Sequence, residues 1–224
     1  MKNKFYKLAR PDGWDFYTGN TINYRDNIGK IVKCPDFDKD GDLCSEAFIH
    51  ASREPNQCFV GAKIPCSAYL VSGKVYAEGY NKCGFRQLKI IEELKPGKLF
   101  KWRYKEACNP VHPFKIKPPK KITGTHLELL KLWASVWASV GGSVRTSVGA
   151  SVWDSVWAYT GYIFTPIVKE WKYIEHKKGE YPFQSAIDLW KMGLVPSFNG
   201  KTWQLHSGGD AKILWEGEIK GGKG

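Results

Sequence analysis

The residues best placed to do chemistry lie between Glu46 and Phe59, EAFIHASREPNQCF. A short apolar run, Ala47-Phe48-Ile49, delivers His50 and Ser52, and Arg53-Glu54-Pro55-Asn56 follows as a helix start. A strand that ends in His-x-Ser and turns straight into a helix sets polar side chains beside free backbone N–H groups and the positive end of a helix. Such a junction is a common way to build a site. The plainer reading of His50 is a strand-end histidine bonded to local backbone.

Other chemistry is thinly marked. The chain has no nucleophile elbow, P-loop, HExxH or GxGxxG, so catalysis would have to draw on scattered residues. Cys34, Cys44, Cys58, Cys66, Cys83 and Cys108 form no CxxC and match no zinc framework, so no metal site is expected from them. The N-terminus, MKNKFYKLARPDGWD, lacks the uncharged core of a signal peptide. No run of about 18 apolar residues suggests a membrane span. Reduced thiols in a cytoplasmic compartment are therefore expected. Asp36-Phe37-Asp38-Lys39-Asp40-Gly41-Asp42-Leu43 follows a calcium loop through its early positions, but Ala47 stands where the bidentate Glu belongs. It reads as an acidic turn rather than as a calcium site.

The elements that must hold these residues are short. Lys4 to Ala9, Lys30 to Lys33, Ala68 to Val71, Lys74 to Ala77 and Gln87 to Leu94 read as strands. Turn signals at Gly13, Gly61, Pro65, Gly73, Gly79, Gly84 and Pro96-Gly97 punctuate them. The spacing predicts an α+β fold with a compact β-rich domain over residues 1–97.

Residues 98–124 change character to a basic, Pro-rich linker. Lys101, Arg103, Lys115, Lys117, Lys120 and Lys121 interleave with Phe100, Trp102, Tyr104 and Phe114. Cations can pair with phosphates and rings can stack on bases, so this is the candidate nucleic-acid segment. The formal charge of +12 points the same way, although charge alone names no partner. The alternative is an extended linker whose rings pack on the first domain.

Residues 125–165 hold a tetrad repeat, WASV WASV GGSV RTSV GASV WDSV W, from Trp133 to Trp157. As a helix, each tetrad overshoots a turn by about 40°, so the Ser and Val stripes spiral round the rod. Thr125 would be the N-cap, with Glu128 closing a capping box. A long helix is expected, with a short β-solenoid as the alternative. The variable first position of each tetrad, often Trp, fits a face turned outward or toward a protein partner. Residues 166–224 should form a small helix, Ala186 to Met192, and a hairpin around Asn199-Gly200.

The region from Phe5 to Leu94 resembles a family of uncharacterised bacterial and phage domains. The resemblance rests on Cys44-Ser45-Glu46-Ala47-Phe48-Ile49-His50-Ala51-Ser52 followed by Cys58-Phe59, with Ala47 replacing the usual Gly. Through its Phe-Ile-His-x-Ser stretch it is distantly similar to ADP-ribosyltransferase-like folds. That similarity implies a split sheet that binds NAD or another nucleotide, active or degenerate. It further implies a first-strand cation, Lys7 or Arg10, holding the pyrophosphate. His50 with Ser52 would lie beside the nicotinamide, and a late-strand carboxylate, Glu92 or Glu93, would act at the reacting centre. The competing expectation is a non-enzymatic structural or binding protein of phage origin that contacts nucleic acid or another protein.

Overall fold

A computed structural model describes residues 4–140, 148–168, 170–172, 174 and 176–219. The chain forms two compact units, Met1–Cys108 and Asn109–Gly224. Both mix helices with antiparallel strands, so the fold is α+β.

The first unit contains β1 (Phe5–Ala9), β2 (Ile31–Lys33), β3 (Ile49–Ala51), β4 (Ser67–Ser72), β5 (Val75–Glu78), β6 (Cys83–Phe85) and β7 (Gln87–Leu94). One sheet has the order β1-β4-β7-β2 and a second the order β3-β6-β5. β4 is apolar along nearly its whole length and is buried on both faces, as a central strand must be. β7 alternates instead, burying Leu88 and Ile90 and exposing Gln87 and Lys89. The two sheets meet at a single backbone bridge. Tyr6 N donates to the Ser52 carbonyl at 2.8 Å, and Ser52 N donates to the Tyr6 carbonyl at 2.9 Å. Beyond that bridge β1 and β3 no longer pair, and the sheet forks.

Gly84 was expected to mark a turn, yet it is the centre of β6 and pairs with His50. The reason is steric. A Cβ there would meet the Phe48 ring at 2.8 Å and Leu43 at 2.9 Å, so only Gly lets the ring lie against the strand. The expected helix after Ser52 is a six-residue 3-10 turn, Pro55–Val60. It is too short to present the aligned N–H groups of an α-helix, which removes the anion-binding argument made for that junction.

The stretch read as the start of a linker belongs to the first unit. It forms α1 (Pro96–Leu99) and α2 (Tyr104–Cys108). Phe100 is buried and stacks on Trp102 and Tyr104 with ring centroids 5.1 and 5.3 Å apart. These rings are spent on packing and are closed to bases.

The second unit contains α3 (Gly124–Ser139), α4 (Val148–Phe164), α5 (Gln184–Lys191), β8 (Val195–Phe198), β9 (Trp203–Ser207) and β10 (Lys212–Gly217). Its sheet order is β10-β9-β8, with Asn199-Gly200 in the β8–β9 connection. The described part of the repeat is helical but not one rod; residues 141–147 lie outside the described residues. Trp137 Nε1 donates to Asp154 Oδ2 at 2.8 Å. In a continuous helix those residues would be about 25 Å apart along the axis. The chain therefore does not run straight from Trp137 to Asp154, and α5 packs against both helices. α3 begins at the Thr123 cap rather than at Thr125, because the His126 ring, Nδ1 3.1 Å from Thr123 N, closes the cap two residues earlier than Glu128 would. Glu128 instead pairs with Lys131 at 2.7 Å.

Opposite faces of the same tetrad are buried in the two arms. Trp133 and Trp137 are 1% and 3% exposed, whereas Trp153 and Trp157 are 63% and 67% exposed. Ser151 and Ser155 are fully buried, and Ser135 and Ser139 are exposed. The outward-facing Trp expected from the repeat holds for α4 and fails for α3, where the indoles form the core with Leu130, Ile187 and Leu205.

Candidate functional site

A cavity of about 340 Å³ lies in the fork between β1 and β3. Lys7 of β1 lines it, as do His50 of β3 and Ser52 just beyond. The Tyr6–Ser52 bridge sets Lys7 beside His50 and Ser52, which lie 43 and 45 positions further along the chain. The volume falls in the range of small-molecule sites.

Lys7 is not a free cation. Its Nζ lies 2.7 Å from Asp15 Oδ2, and both side chains are largely buried. Asp15 also accepts from Tyr24 Oη at 3.1 Å, from Tyr17 N at 2.9 Å and from Thr18 N at 3.4 Å. Burial alone would raise the Asp15 carboxyl. The Lys7 ammonium and these hydrogen bonds outweigh it and hold the group down at about 2. Burial, reinforced by the Asp15 charge, pushes the Tyr24 phenol well above its usual range. The Lys7–Asp15–Tyr24 cluster is therefore a fixed, internally neutralised part of the wall.

His50 is bonded through Nε2 to the Leu43 carbonyl, so Nε2 carries the proton and Nδ1 the lone pair. Burial lowers the imidazole below its ordinary value, against the raising effect of the Leu43 bond, and Lys7 and Lys82 push it further down. It is neutral at pH 7, offering a flat ring and an acceptor rather than a charge. Ser52 Oγ donates to the Asn81 carbonyl at 2.7 Å. The Cys58 thiol, also in the lining, donates to the Tyr6 carbonyl at 3.1 Å, and burial pushes it up. It stays protonated and is no nucleophile at neutral pH.

The remaining expected site residues lie elsewhere. Arg10 is exposed, pairs with Asp12 at 2.8 Å and is absent from the lining. Glu92 and Glu93 sit on β7 opposite Leu70 and Tyr69, in the same sheet as β1 but separated from it by β4. Glu93 holds Arg25 in a two-pronged contact at 2.8 and 3.1 Å. Neither carboxylate lines the cavity. The acids that do are Asp15, Asp36 and Glu46, and Lys82 is a second lining cation that makes no ion pair among the described residues. Tyr17, 85% exposed, stands at the rim.

Sequence reasoning missed Asp15, Tyr17 and Tyr24. The available signal was a single acid inside the aromatic run Trp14 to Tyr24, where an unpaired carboxylate would be costly. The other candidates divide between the units: Lys101 and Arg103 are exposed in the first, and Lys115, Lys117, Lys120 and Lys121 are exposed in the second. No group of acidic, His and Cys side chains among the described residues could hold a metal ion, and the Asp38 and Asp42 carboxylates accept from local backbone N–H groups at 3.0 and 2.7 Å. No helix among the described residues is long and apolar enough to cross a membrane. Comparison with protein-family models, curated proteins and solved structures finds no match for this chain.

Proposed function

We propose that the first unit is a nucleotide-binding domain of the ADP-ribosyltransferase-like kind, that NAD is its first candidate ligand, and that it binds without transferring. The observation that carries this reading is the convergence of Lys7, His50 and Ser52 on one cavity at the fork of a split sheet. A neutral His50 ring beside an exposed Tyr17 suits a flat heterocycle. Lys82 is the cation left for a phosphate, since Lys7 is held by Asp15. Asp36 and Glu46 supply acceptors for ribose hydroxyls. Glu92 and Glu93 are absent from the lining, Asp15 is held by Lys7, and Asp36 and Glu46 are assigned to the ribose, so this reading leaves no carboxylate for glycosidic cleavage.

The test is a thermal-shift and calorimetric titration with NAD, ADP-ribose and nicotinamide. NAD should raise the melting temperature, and His50→Ala and Lys82→Ala should each abolish the rise. No nicotinamide should be released over hours. A chain indifferent to all three ligands would overturn the reading.

A second reading concerns the other unit. Lys115, Lys117, Lys120 and Lys121 are exposed and make no ion pair among the described residues, which supports contact with a polyanion. Binding to a duplex or single-stranded oligonucleotide should fall steeply with salt and weaken when these four are reversed to Glu. Salt-independent binding, or none, would remove it.

A further inference from the structure

Two runs of the first unit, β4–β5 and β6–β7, each pass from one of its sheets into the other. Ser72 pairs with Lys89 in the first sheet and Val75 with Phe85 in the second, and between these pairs the ladder lapses. Gly73 stands at the lapse. A Cβ there would meet the Gln87 carbonyl at 2.6 Å, so only Gly lets the two runs cross this closely. A cleft of about 260 Å³ lies at the crossing. Lys74 from one run and Arg86 and Lys89 from the other line it, together with the hydroxyls of Ser72 and Tyr76 and the amide of Gln87.

The cations are held without being neutralised. Lys74 Nζ lies over the Tyr76 ring, 5.2 Å from its centroid, and Arg86 Cζ lies over the Phe37 ring at 5.5 Å. Those two rings meet edge to face, 5.1 Å apart at 70°, so one ring pair supports both charges. A ring beneath a cation steadies it and leaves its charge and N–H donors available, which a carboxylate partner does not. Lys74, Arg86 and Lys89 make no ion pair among the described residues, and the described lining of the cleft contains no acid. Met1, Lys2 and Asn3, the other residues of the first unit, include no acid either. Three like charges drawn to one cleft repel one another, and an anion placed among them removes that repulsion.

We propose that this cleft binds a phosphate group carrying two charges, as free phosphate or as a phosphomonoester. Arg86 offers the planar fork that matches two phosphate oxygens, and Lys74 and Lys89 flank it as point charges. A carboxylate brings one charge and two oxygens to these donors, whereas a phosphomonoester brings nearly two charges and three oxygens. The cleft shares no lining residue with the cavity at the β1–β3 fork, so it stands or falls apart from the nucleotide reading.

The experiment follows the amide resonances of Gly73, Lys74 and Gln87 in the full chain at constant ionic strength. Inorganic phosphate and glycerol 3-phosphate are titrated against acetate and dimethyl phosphate, which each carry one charge. Both dianions should shift these amides saturably and bind several-fold tighter than either monoanion. The tighter dianion identifies the source, a phosphomonoester if it is glycerol 3-phosphate and free phosphate if it is not. Arg86→Gln and Lys89→Gln, at exposed positions and with folding checked by melting temperature, should each weaken phosphate roughly tenfold, the worth of one charge-assisted hydrogen bond. Lys82→Ala and Lys115→Gln, which remove cations elsewhere, should leave the affinity at these amides unchanged. No saturable shift, a monoanion bound as tightly as phosphate, an equal loss in Lys115→Gln, or Arg86→Gln and Lys89→Gln proteins that bind phosphate normally would overturn the proposal.

Discussion

Replacing Asp15 by Asn removes one charge from the floor of the forked-sheet cavity while keeping the shape. Asn Oδ1 can still accept from Tyr17 N and Thr18 N, so the local turn survives. What is lost is the partner of Lys7. The Asp15 carboxyl falls from 3.8 to about 2 on folding, which corresponds to about 2 kcal/mol of stabilisation at neutral pH. Lys7 is then left largely buried without a counter-charge, so the total loss should be about 2–3 kcal/mol. Hydrogen exchange of the β4 amides, Ala68 to Val71, reads this in the first unit alone. Their protection should fall by roughly 100-fold, the equivalent of that free energy. Lys7→Met added to Asp15→Asn should restore at least half, since it removes the stranded ammonium. The pH dependence has a fixed sign. The folded value lies below the unfolded one, so the contribution is complete above about pH 4 and disappears as the pH falls toward 2. Asp15→Asn should flatten that acid limb. A variant within about 0.5 kcal/mol of the parent, with the same acid limb, would refute the buried-pair argument.

Three further outcomes follow from the packing. His50 should remain neutral in an NMR titration at pH values where a free imidazole is half protonated; because its folded value is lowered, its contribution to stability is present above about pH 6.5 and is lost as the pH falls through the folded value. Gly84→Ala should cost about 1–3 kcal/mol by chemical denaturation, because the added methyl must displace the Phe48 ring or Leu43. Ser151→Ala should cost about 1–3 kcal/mol, since it strands the Phe198 N–H that its hydroxyl holds at 2.8 Å, while Ser135→Ala, at the equivalent tetrad position, should be neutral within about 0.5 kcal/mol.

The strands of the first unit were legible because each is a short β-branched or aromatic run closed by Gly or Pro, and β1, β4 and β7 follow that pattern. β6 was not, because its signal is inverted: a Gly normally ends a strand, and here the missing side chain is what the neighbouring Phe48 requires. His50, Ser52 and Lys7 could be singled out by type and position. That Lys7 is neutralised could not, since Asp15 reaches it through a turn with no periodic signature. Glu92 and Glu93 looked available because the sequence does not reveal the order of strands in a sheet; β4 stands between β7 and β1, and the two carboxylates lie opposite Leu70 and Tyr69, outside the cavity lining. In the repeat, the Gly, Ser and Val content stood against a helix, yet the described residues are helical, and only tertiary packing could decide which face of each arm goes inward.

The Ser-Val spacing of the tetrad array is regular as text and asymmetric as an object. Trp133 and Trp137 are buried while Trp153 and Trp157 face solvent, so the first position of the tetrad is read with opposite polarity in the two arms. A gain or loss of one tetrad within an arm would lengthen or shorten it by about 6 Å and rotate everything beyond it by about 40°. Ser151, now bonded to the β8 backbone at Phe198, would slide off its partner, and buried indoles would swing toward water. Copy number within each arm is thus part of the fold's specification, and variants of this chain that differ in repeat count should add or delete tetrads between the arms rather than inside them.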